Sequence, residues 1–493
     1  MTLTTRTRPG ARTPSLGAFS ALAAVAALST ATGHARLAAQ EEAAERFAEF
    51  VAVHAPVVAL TKVKIIDGTG GPSREDMAIV IEDGRIAAIG PTAEVAAGLG
   101  NARVVDLGGH TVIPGLVGLH NHSYYTGGDG RAAQLSFSGS RLYLASGVTT
   151  IRTTGARAPY EELNLKAAID AGRSIGPRMF TTGPYLTGEE GSQSMAHLDG
   201  AEEARRLVRY WAEEGVSWFK AYTWISREEL GAAIEEAHRH GVKVTAHLCS
   251  VGYREAVALG IDNLEHGLFA NSEYHPGKQP DDCPSGFRTG YAHLDVGSEE
   301  VQATFRDMIE NDVAMTSTLA VYEISVPGRD PIDPRVYEML APEIAEEVRE
   351  RAEFIRSATL DSGIGIHPDV YRKALEYEYA FVQAGGTLAA GVDPTGYGAA
   401  PPGLGDQANF ELLLEAGFTP VEVVQIMSAN GARVLGMDDL GTIEVGKLAD
   451  LVVLEGDPEA DGHIRDTRMV FKGGIGWDAP MLMESVRGIV GIR

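Results

Sequence analysis

Residues 114–122 have the sequence P-G-L-V-G-L-H-N-H, a Pro-Gly break followed by an apolar run and two histidines. The run at 116–119 predicts a short buried strand. Alternate side chains of a strand point to the same side, so His120 and His122 would present two imidazoles together. Imidazole is a common ligand of zinc and similar divalent metals. The stretch therefore predicts part of a metal site, provided that the rest of the chain supplies matching ligands.

From about residue 113 the chain repeats one pattern, in which a helical run ends at Gly, Asn or Asp and an apolar strand follows at once. Gly after a helix is typical of a left-handed cap, so each of these places predicts a helix-to-strand joint. Six strands follow such joints, after Gly147, Gly215, Gly241, Gly260, Asn311-Asp312 and Gly385-Gly386. The strand of His120 and a strand at 177–182 bring the total to eight. Eight strand–helix units predict a (β/α)8 TIM barrel over residues 113–436.

Sequence rich in strand patterns flanks this barrel on both sides. Residues 57–112 include a hairpin signal at Asp83-Gly84, and residues 437–480 contain two further strand patterns. We expect both parts to form one small β-sandwich domain, which makes the fold class α/β with a barrel and a β-sandwich built from both chain ends. Residues 40–56 are predicted to be a linker or helix, and residues 481–493 a tail.

The formal net charge of the 493-residue chain is −25, which argues against nucleic acid or an anionic membrane surface as a partner, because phosphate binders need a basic face. A small-molecule substrate is the expected partner, and assembly of identical chains stays open. The two cysteines, Cys249 and Cys283, are too few for a disulfide scaffold or a thiolate zinc site. One bridge between them is compatible with export, but a sequence does not determine pairing.

The N-terminus has the order of features of an export signal. Three arginines precede an Ala-rich apolar run at 16–31, and small residues follow, with candidate cleavage sites at Ala35 and Ala39. The apolar run is too short and too rich in Ala to predict stable insertion into a membrane. We expect residues 1–39 to be a cleaved signal peptide and the mature protein to be periplasmic or secreted. A disordered tail and an uncleaved anchor are the alternatives.

Five of the predicted barrel strands end in a side chain that suits a metal site. In a TIM barrel, chemistry occurs at the C-terminal ends of the strands. Each such residue alone has a structural explanation, such as a core histidine, a lysine at the rim or an aspartate that caps a turn. Their occurrence at successive strand ends predicts one joint site. These residues are His120 and His122 on strand 1, Lys220 on strand 4, His247 on strand 5, His266 on strand 6 and Asp393 on strand 8.

The motifs around these residues resemble the metal motifs of the amidohydrolase superfamily. They are P-G-L-V-G-L-H-N-H, F-K-A-Y, V-T-A-H, L-E-H-G and A-G-V-D-P-T, and the flanking D-G-R-I-A-A-I-G and G-T-I-E-V-G-K-L-A-D-L-V-V-L are similar too. The resemblance covers nearly all of the chain after residue 57. It is strongest to the imidazolonepropionase-related, prolidase-like binuclear metal hydrolases.

The resemblance implies two divalent metal ions of the zinc class. By that resemblance, His120, His122 and Asp393 would hold one ion, His247 and His266 the other, and a carbamylated Lys220 would bridge them. It also implies that Tyr222 helps to hold the substrate carbonyl, although a packed aromatic side chain explains Tyr222 nearly as well. Cys249 is interpreted as part of the pocket wall or of a disulfide, and not as a ligand.

The chemistry of metal-dependent hydrolysis is consistent with this set of ligands. A protonated lysine has no lone pair, so it must lose its charge or become a carbamate to bind a metal. Two ions roughly 3.5–4 Å apart can share a hydroxide and polarise a carbonyl. Asp393 can then act as general base and later as acid toward the leaving nitrogen. We expect a hydrolase that cleaves an amide C–N bond of a small substrate, such as a dipeptide or an N-acyl amino acid.

Three other functions are compatible with parts of the pattern. A lactonase or phosphotriesterase would use the same barrel and metals. A mononuclear deaminase lacks the metal lysine, so Lys220 argues against it. A non-catalytic scaffold or periplasmic binding protein would not need every ligand position to be filled. Specificity is expected to depend on the long connections at 267–298 and 320–385, whose candidates for a substrate carboxylate, or for plain surface charge, are Arg288, Arg329, His275 and His293.

Overall fold

The computed structural model describes residues 38–127 and 131–491, so the predicted signal peptide lies almost wholly outside the described residues. None of the described helices is both long enough and apolar enough to cross a bilayer. The strands are β1 (Val51–Val53), β2 (Val57–Ile65), β3 (Arg74–Glu82), β4 (Arg85–Pro91), β5 (Arg103–Asp106), β6 (His110–Pro114), β7 (Leu116–Asn121), β8 (Tyr124–Thr126), β9 (Ala132–Gln134), β10 (Val148–Thr153), β11 (Arg178–Phe180), β12 (Thr182–Thr187), β13 (Ala196–His197), β14 (Trp218–Ala221), β15 (Lys243–Ala246), β16 (Asn263–Glu265), β17 (Ala314–Ser317), β18 (Leu388–Ala390), β19 (Leu451–Glu455), β20 (Thr467–Lys472) and β21 (Ile475–Asp478).

The helices include several single turns and a few of three turns or more. They are α1 (38–46), α2 (Thr92–Ala96), α3 (Ser138–Ala145), α4 (Pro159–Asp170), α5 (Ala201–Glu213), α6 (Arg227–Arg239), α7 (Tyr253–Ala258), α8 (Glu299–Glu310), α9 (Leu319–Glu323), α10 (Pro334–Met339), α11 (Pro342–Arg356), α12 (Pro368–Gln383), α13 (Leu404–Ala416), α14 (Pro420–Gln425), α15 (Gly431–Leu435), α16 (Pro458–Asp461) and α17 (Ala479–Glu484). Short 3-10 turns lie at Ala48–Phe50, Gly267–Ala270, Phe287–His293 and Leu360–Ser362, and a π turn at Ile426–Asn430.

Parallel strands that follow one another in the sequence form a TIM-barrel-type α/β arrangement. One sheet has the order β7-β10-β11, and a second has the order β12-β14-β15-β16-β17-β18 with the short β13 on its edge. The predicted strand at 177–182 is split, because β11 pairs with β10 and β12 pairs with β14. Helices lie between most successive strands, and α5 buries Ala204 and Val208 on one face.

The two sheets are not joined into one closed ladder, but backbone hydrogen bonds connect them. Ala156 N–H donates to Gly183 O (3.1 Å), and Asp393 N–H donates to His120 O (2.7 Å). At the second contact a Cβ on Gly391 would lie 2.3 Å from His120 N, so only glycine allows this approach. The close approach brings Asp393 beside His120. Closure into a complete eight-stranded barrel stays a prediction.

Strands from both chain ends lie in one nine-stranded sheet. Its order is β1-β21-β20-β19-β6-β2-β3-β4, with β5 paired to β2. The Asp83-Gly84 hairpin is present, and both residues have positive φ, as a tight hairpin turn requires. The segment at 40–56 contains α1 and β1, so it contributes a strand to this sheet. Whether the sheet forms two packed layers, as a sandwich would, stays a prediction.

The two long connections are more ordered than the sequence pattern indicates. The connection at 320–385 contains most of α9 and all of α10, α11 and α12. In the connection at 267–298, Cys283 forms a disulfide with Cys249, with 5.1 Å between the Cα atoms. The disulfide ties this connection to the chain just after β15. The pairing that the sequence left open is therefore made in the structure.

Candidate metal centre

Three of the predicted ligands form a compact group at the end of β7. His120, His122 and Asp393 each offer one ligand atom, and these atoms lie within 4.8 Å of one another. His122 Nε2 is 3.2 Å from Asp393 Oδ1, and His120 Nε2 is 3.6 Å from Asp393 Oδ2. Both histidines are buried, and Asp393 is almost fully buried. This arrangement can hold one divalent ion.

The other three predicted ligands lie against this group. Lys220 Nζ is 2.9 Å from His120 Nε2. The ring of His266 is 4.4 Å from the ring of His120 and also 4.4 Å from the ring of His247. His266 Nε2 lies 4.0 Å from Asp393 Oδ2. The structure thus brings all six predicted side chains into one cluster, at the C-terminal ends of five parallel strands.

A buried glutamate orients His120. His120 Nδ1 donates a hydrogen bond to Glu265 Oε2 at 2.7 Å. A carboxylate can only accept, so the proton lies on Nδ1 and the lone pair of Nε2 points into the cluster. On the far side, His266 Nδ1 is 2.6 Å from Thr318 Oγ1. Both rings are therefore fixed with Nε2 toward the other ligands.

Glu265 is held in turn by an arginine below the cluster. Arg152 donates to Glu265 Oε1 at 2.5 Å, and its guanidinium lies 4.5 Å from the Trp218 ring. Asn263 and Thr245 also donate to Glu265 Oε1. Arg152 and Glu265 are both fully buried. Sequence reasoning missed this pair, although a charged residue at the end of the strand patterns V-T-T-I-R and I-D-N-L-E is the signal that could have found it.

Burial keeps the cluster histidines neutral. Burial is the largest cause that lowers the pKa of His120, His122 and His266, and it lowers the pKa of His247 to about 3, with a further contribution from the Lys220 charge. Neutral imidazole is the form that binds metals.

The pKa values of Lys220 and Asp393, the two charged members of the cluster, are both lowered, as a metal site requires. Burial also lowers the pKa of Lys220 to about 8. For Asp393 burial acts to raise the pKa, but His120, His122 and Lys220 outweigh it and hold the pKa below its ordinary value. Asp393 is therefore ionised at neutral pH.

The chemistry of the donor set fits divalent metal ions. His266 Nε2 is buried and has no hydrogen-bond partner among the described residues, and buried polar atoms of this kind are rare. His266 and Asp393 also have the left-handed φ values of 67° and 48°. Such conformations cost energy in non-glycine residues and cluster at functional sites. Neutral imidazole nitrogens beside a carboxylate are ligands that zinc accepts.

Tyrosines form a wall beside the cluster. The Tyr222 ring is 4.8 Å from the His247 ring and 5.4 Å from the Tyr185 ring. Tyr185 Oη lies 3.5 Å from His122 Nε2 and makes a very short contact with the Tyr124 hydroxyl. Burial raises the pKa of Tyr222 to about 12, so it is a hydrogen-bond donor at neutral pH. Sequence reasoning found Tyr222 but missed Tyr124 and Tyr185.

The four loop residues that were candidates for binding a substrate carboxylate differ in their surroundings. Arg329 donates to Glu323 and to Glu415, so its charge is already neutralised by neighbouring carboxylates. His293 is exposed and His275 is half-buried. Arg288 instead donates to the carbonyl of Phe269 at 2.6 Å, directly after the strand of His266. Of the four loop candidates, Arg288 therefore has the clearest contact beside the metal cluster.

Comparisons with known proteins match this chain to one sequence family. The sequence profile of the amidohydrolase family matches residues 111–282 and 383–476. The enamidase of Eubacterium barkeri is 30% identical over 195 residues, 37% of this chain and 47% of that protein. The imidazolonepropionase of Streptomyces avermitilis is 34% identical over 133 residues, 25% of this chain and 31% of that protein. The matched segments thus span less than half of these curated relatives.

A solved structure matches over a larger share of the chain. A candidate prolidase from Bifidobacterium longum has a TM-score of 0.61 and 25% identity, and the match covers 87% of this chain and 98% of that one.

Proposed function

We propose that this chain, which belongs to the amidohydrolase family, is a binuclear metal hydrolase that cleaves the amide C–N bond of a small substrate, such as a dipeptide or an N-acyl amino acid. The observation that carries the proposal is the position of Lys220, fully buried and 2.9 Å from His120 Nε2 within a cluster of four histidines and an aspartate. Participation in the metal site explains why a lysine is buried among these side chains. The similarity to a candidate prolidase supports the choice of an amide substrate.

In the proposed site, His120, His122 and Asp393 would hold one zinc-class ion, and His247 and His266 would hold the second. Lys220 would complete the ligand set as a carbamate. The lowered pKa of Lys220, about 8, increases the fraction of neutral amine, which is the form that reacts with carbon dioxide. When bound, the metals supply an activated water and a polarised substrate carbonyl.

The remaining steps belong to side chains of the chain itself. Asp393 is ionised at neutral pH, so it can accept a proton from the attacking water and deliver that proton to the leaving nitrogen. Tyr222 keeps its proton, so its hydroxyl can donate to the carbonyl oxygen of the substrate. Tyr124 and Tyr185 exclude bulk water from the His122 side of the cluster. Glu265 keeps His120 in the tautomer that can bind a metal.

The experiment is an activity screen of metal-loaded protein combined with metal analysis. We expect about two metal ions per chain and turnover of dipeptides or N-acyl amino acids. Lactones and phosphotriesters are included in the screen, because a lactonase or phosphotriesterase would use the same cluster. One ion per chain together with deamination would contradict the proposal and favour a mononuclear deaminase. Tight binding of a ligand without any turnover would favour a binding protein.

We also propose that the protein is exported. The basic, apolar and small-residue order of residues 1–39 supports export, and so does the Cys249–Cys283 disulfide, because disulfides persist in oxidising compartments. Mass spectrometry of the protein from its own cells should find a start between about Arg36 and Glu42. An N-terminus that begins at Met1 in cells would contradict export.

A further inference from the structure

Two arginines lie at different flanks of the candidate metal centre. Arg157 follows β10, the second barrel strand, and Arg288 lies in the connection after β16, the sixth. Positions two and six are four apart in a ring of eight strands, so loops from these strands reach the mouth of such a barrel from opposite sides. Both arginines are half-buried. They are therefore placed to act on a substrate from two directions.

Arg157 belongs to the His122 flank. Its guanidinium carbon lies 5.1 Å from the centre of the Tyr124 ring, and this ring stacks on His122 at 4.5 Å. Arg157 Nε is buried and has no hydrogen-bond partner among the described residues. A buried donor without a partner costs free energy unless a ligand satisfies it. One aromatic ring thus separates a guanidinium with an unsatisfied Nε from a predicted metal ligand.

Arg288 belongs to the His266 flank. Its Nε donates to Phe269 O at 2.6 Å, which fixes the side chain and leaves the terminal nitrogens for another partner. The Phe269 ring stacks on the Tyr322 ring at 4.0 Å, and the Tyr322 ring is 5.5 Å from the His266 ring. The arrangement on this flank is parallel to that of Arg157, since aromatic side chains lie between the arginine and the histidine.

Neither arginine forms an ion pair with a carboxylate in the part of the chain that the structure describes. Other arginines of the same barrel do, such as Arg254 with Asp307 and Arg329 with Glu323 and Glu415. The chain has 67 acidic and 42 basic residues, so carboxylates are abundant. A guanidinium in a partly dry pocket binds a carboxylate through two parallel hydrogen bonds. The two arginines are therefore available for carboxylates that a ligand brings.

We propose that Arg157 and Arg288 determine specificity by binding the two anionic ends of one substrate. The substrate class is a small amide with a carboxylate on each side of the bond that is cleaved, that is, an N-acyl amino acid whose acyl part carries its own carboxylate. The proposal rests on the proposed amide hydrolysis. It narrows that function, since a substrate with a single carboxylate would leave one arginine without a partner.

The first measurement is kinetic and uses the metal-loaded full chain. N-succinyl amino acids, with two carboxylates, are compared with the matching N-acetyl amino acids, with one. We expect kcat/KM to be about ten- to hundred-fold higher for the succinyl series, the range given by a charged hydrogen-bonded pair. Arg157→Met and Arg288→Met should each remove a similar factor on the succinyl series, mainly through KM, and at least one of them should lower the ratio between the succinyl and the acetyl series.

Arg329→Met is the matched control, because Arg329 is also a half-buried arginine on a barrel loop but has carboxylate partners. It should leave the ratio between the two substrate series unchanged. Equal kcat/KM for both series, or the same ratio in wild type and in both arginine variants, would overturn the proposal.

The second measurement does not depend on turnover. Binding of dicarboxylates from succinate to adipate, and of butyrate as the single-carboxylate reference, is measured by calorimetry on the metal-loaded protein. We expect one dicarboxylate to bind at least about ten-fold more tightly than butyrate, and Arg157→Met or Arg288→Met to remove that advantage. Preference for a dicarboxylate without hydrolysis of any amide would support the paired arginines and contradict the proposed function. Equal binding of butyrate and every dicarboxylate would contradict the arginine proposal alone.

Discussion

Two polar clusters of this molecule each contain a buried aspartate and differ in how completely their hydrogen-bonding atoms have partners. At the junction of the barrel with the terminal sheet, Arg178 donates to Thr150 and to Asp450, at 2.9 and 2.8 Å, and Asp450 Oδ1 accepts from Gly473 N–H at 2.7 Å. At the metal cluster, His266 Nε2 has no hydrogen-bond partner among the described residues. These polar groups at the junction have partners within the protein, so we call the junction closed. The metal cluster has a buried atom without a partner, which a ligand can bond, so we call the cluster open.

The difference separates a structural role from a functional one. A closed network of buried charges fixes how two parts of the chain pack, and any ligand would have to displace existing bonds. An open cluster carries strain, here in the left-handed backbone of His266 and Asp393, that the surrounding fold must support. The comparison leads to four predictions, which start with the largest effect on turnover.

Lys220→Ala tests the open cluster most directly. The variant should lose metal stoichiometry and at least about a hundred-fold in turnover, as expected when charge stabilisation at the reacting atoms is removed. A small carboxylic acid added to the variant should restore part of both, because it can replace the bridging carbamate. Lys220→Arg should not be rescued, because guanidinium stays charged and fills the space. Metal analysis and kinetics on the same samples provide the measurement.

Lys243→Ala is the control for this variant. Lys243 lies on the neighbouring strand β15, and its Nζ donates to Val434 O at 2.9 Å, away from the cluster. It should keep two metals and normal turnover. If Lys220→Ala behaves in the same way, the carbamate is wrong, and a mononuclear site on His120, His122, His247 and Asp393 becomes the better explanation.

Glu265→Gln tests whether the cluster depends on its supporting shell. The variant should bind metal about ten- to hundred-fold more weakly, because His120 loses the carboxylate that fixes its tautomer. Competition with a chromogenic chelator measures this affinity without any substrate. Glu378→Gln is the control, since Glu378 is also a fully buried glutamate but makes no contact with a predicted ligand in the described hydrogen bonds. Unchanged affinity in Glu265→Gln would show that Glu265 has only a packing role.

Much of the fold and the clustering of the candidate ligands could be predicted, because both depend on local signals. A glycine after a helix marks the start of most barrel strands and an apolar run marks their length, so the six candidate ligands could be placed at one end of the barrel. The family is confirmed by the profile match, and the hydrolase activity stays a proposal. The split of the strand at 177–182 could not be predicted, because it depends on which neighbour each half pairs with.

The supporting residues of the cluster could not be predicted for a related reason. Arg152 and Glu265 are 113 positions apart, and nothing in either local pattern states that they meet. The same holds for the contact between Tyr124 and Tyr185 and for the disulfide of Cys249 and Cys283. Such contacts depend on tertiary packing, whereas the ligand positions depend on strand periodicity. The terminal β-sandwich and the domain boundaries stay predictions.

Asp450→Ala tests the closed junction. Removal of the carboxylate leaves the largely buried Arg178 without its ion-pair partner but still bonded to Thr150, so the variant should lose up to about 3 kcal/mol of unfolding free energy. Turnover per folded, metal-loaded molecule should be unchanged, because Asp450 lies at the junction with the terminal sheet. Urea denaturation measures the stability, and active-site titration gives the folded fraction. A loss of turnover without a loss of stability would mean that the junction, like the cluster, has a functional role.

Substitution of Glu378 has the smallest expected effect of the four predicted changes. It tests the comparison outside the metal cluster, because Glu378 has a buried atom without a hydrogen-bond partner. Its Oε2 has no hydrogen-bond partner among the described residues, and burial raises its pKa to about 8. The folded state therefore binds more protons than the unfolded state between pH 4.5 and 8, and stability falls through that range by about 1.4 kcal/mol for each pH unit.

Glu378→Gln removes this dependence, since an amide does not ionise. Wild type and variant should have equal stability near pH 4, where both side chains are neutral, and the variant should be the more stable above pH 8, with unchanged turnover. Denaturation curves at several pH values measure the difference. A buried carboxyl oxygen without a hydrogen-bond partner can thus be accommodated when the carboxyl group stays protonated, and not only by binding a ligand. If Glu378→Gln instead lowers turnover or metal content, Glu378 belongs to the site. A buried polar atom without a hydrogen-bond partner would then indicate function outside the metal cluster too.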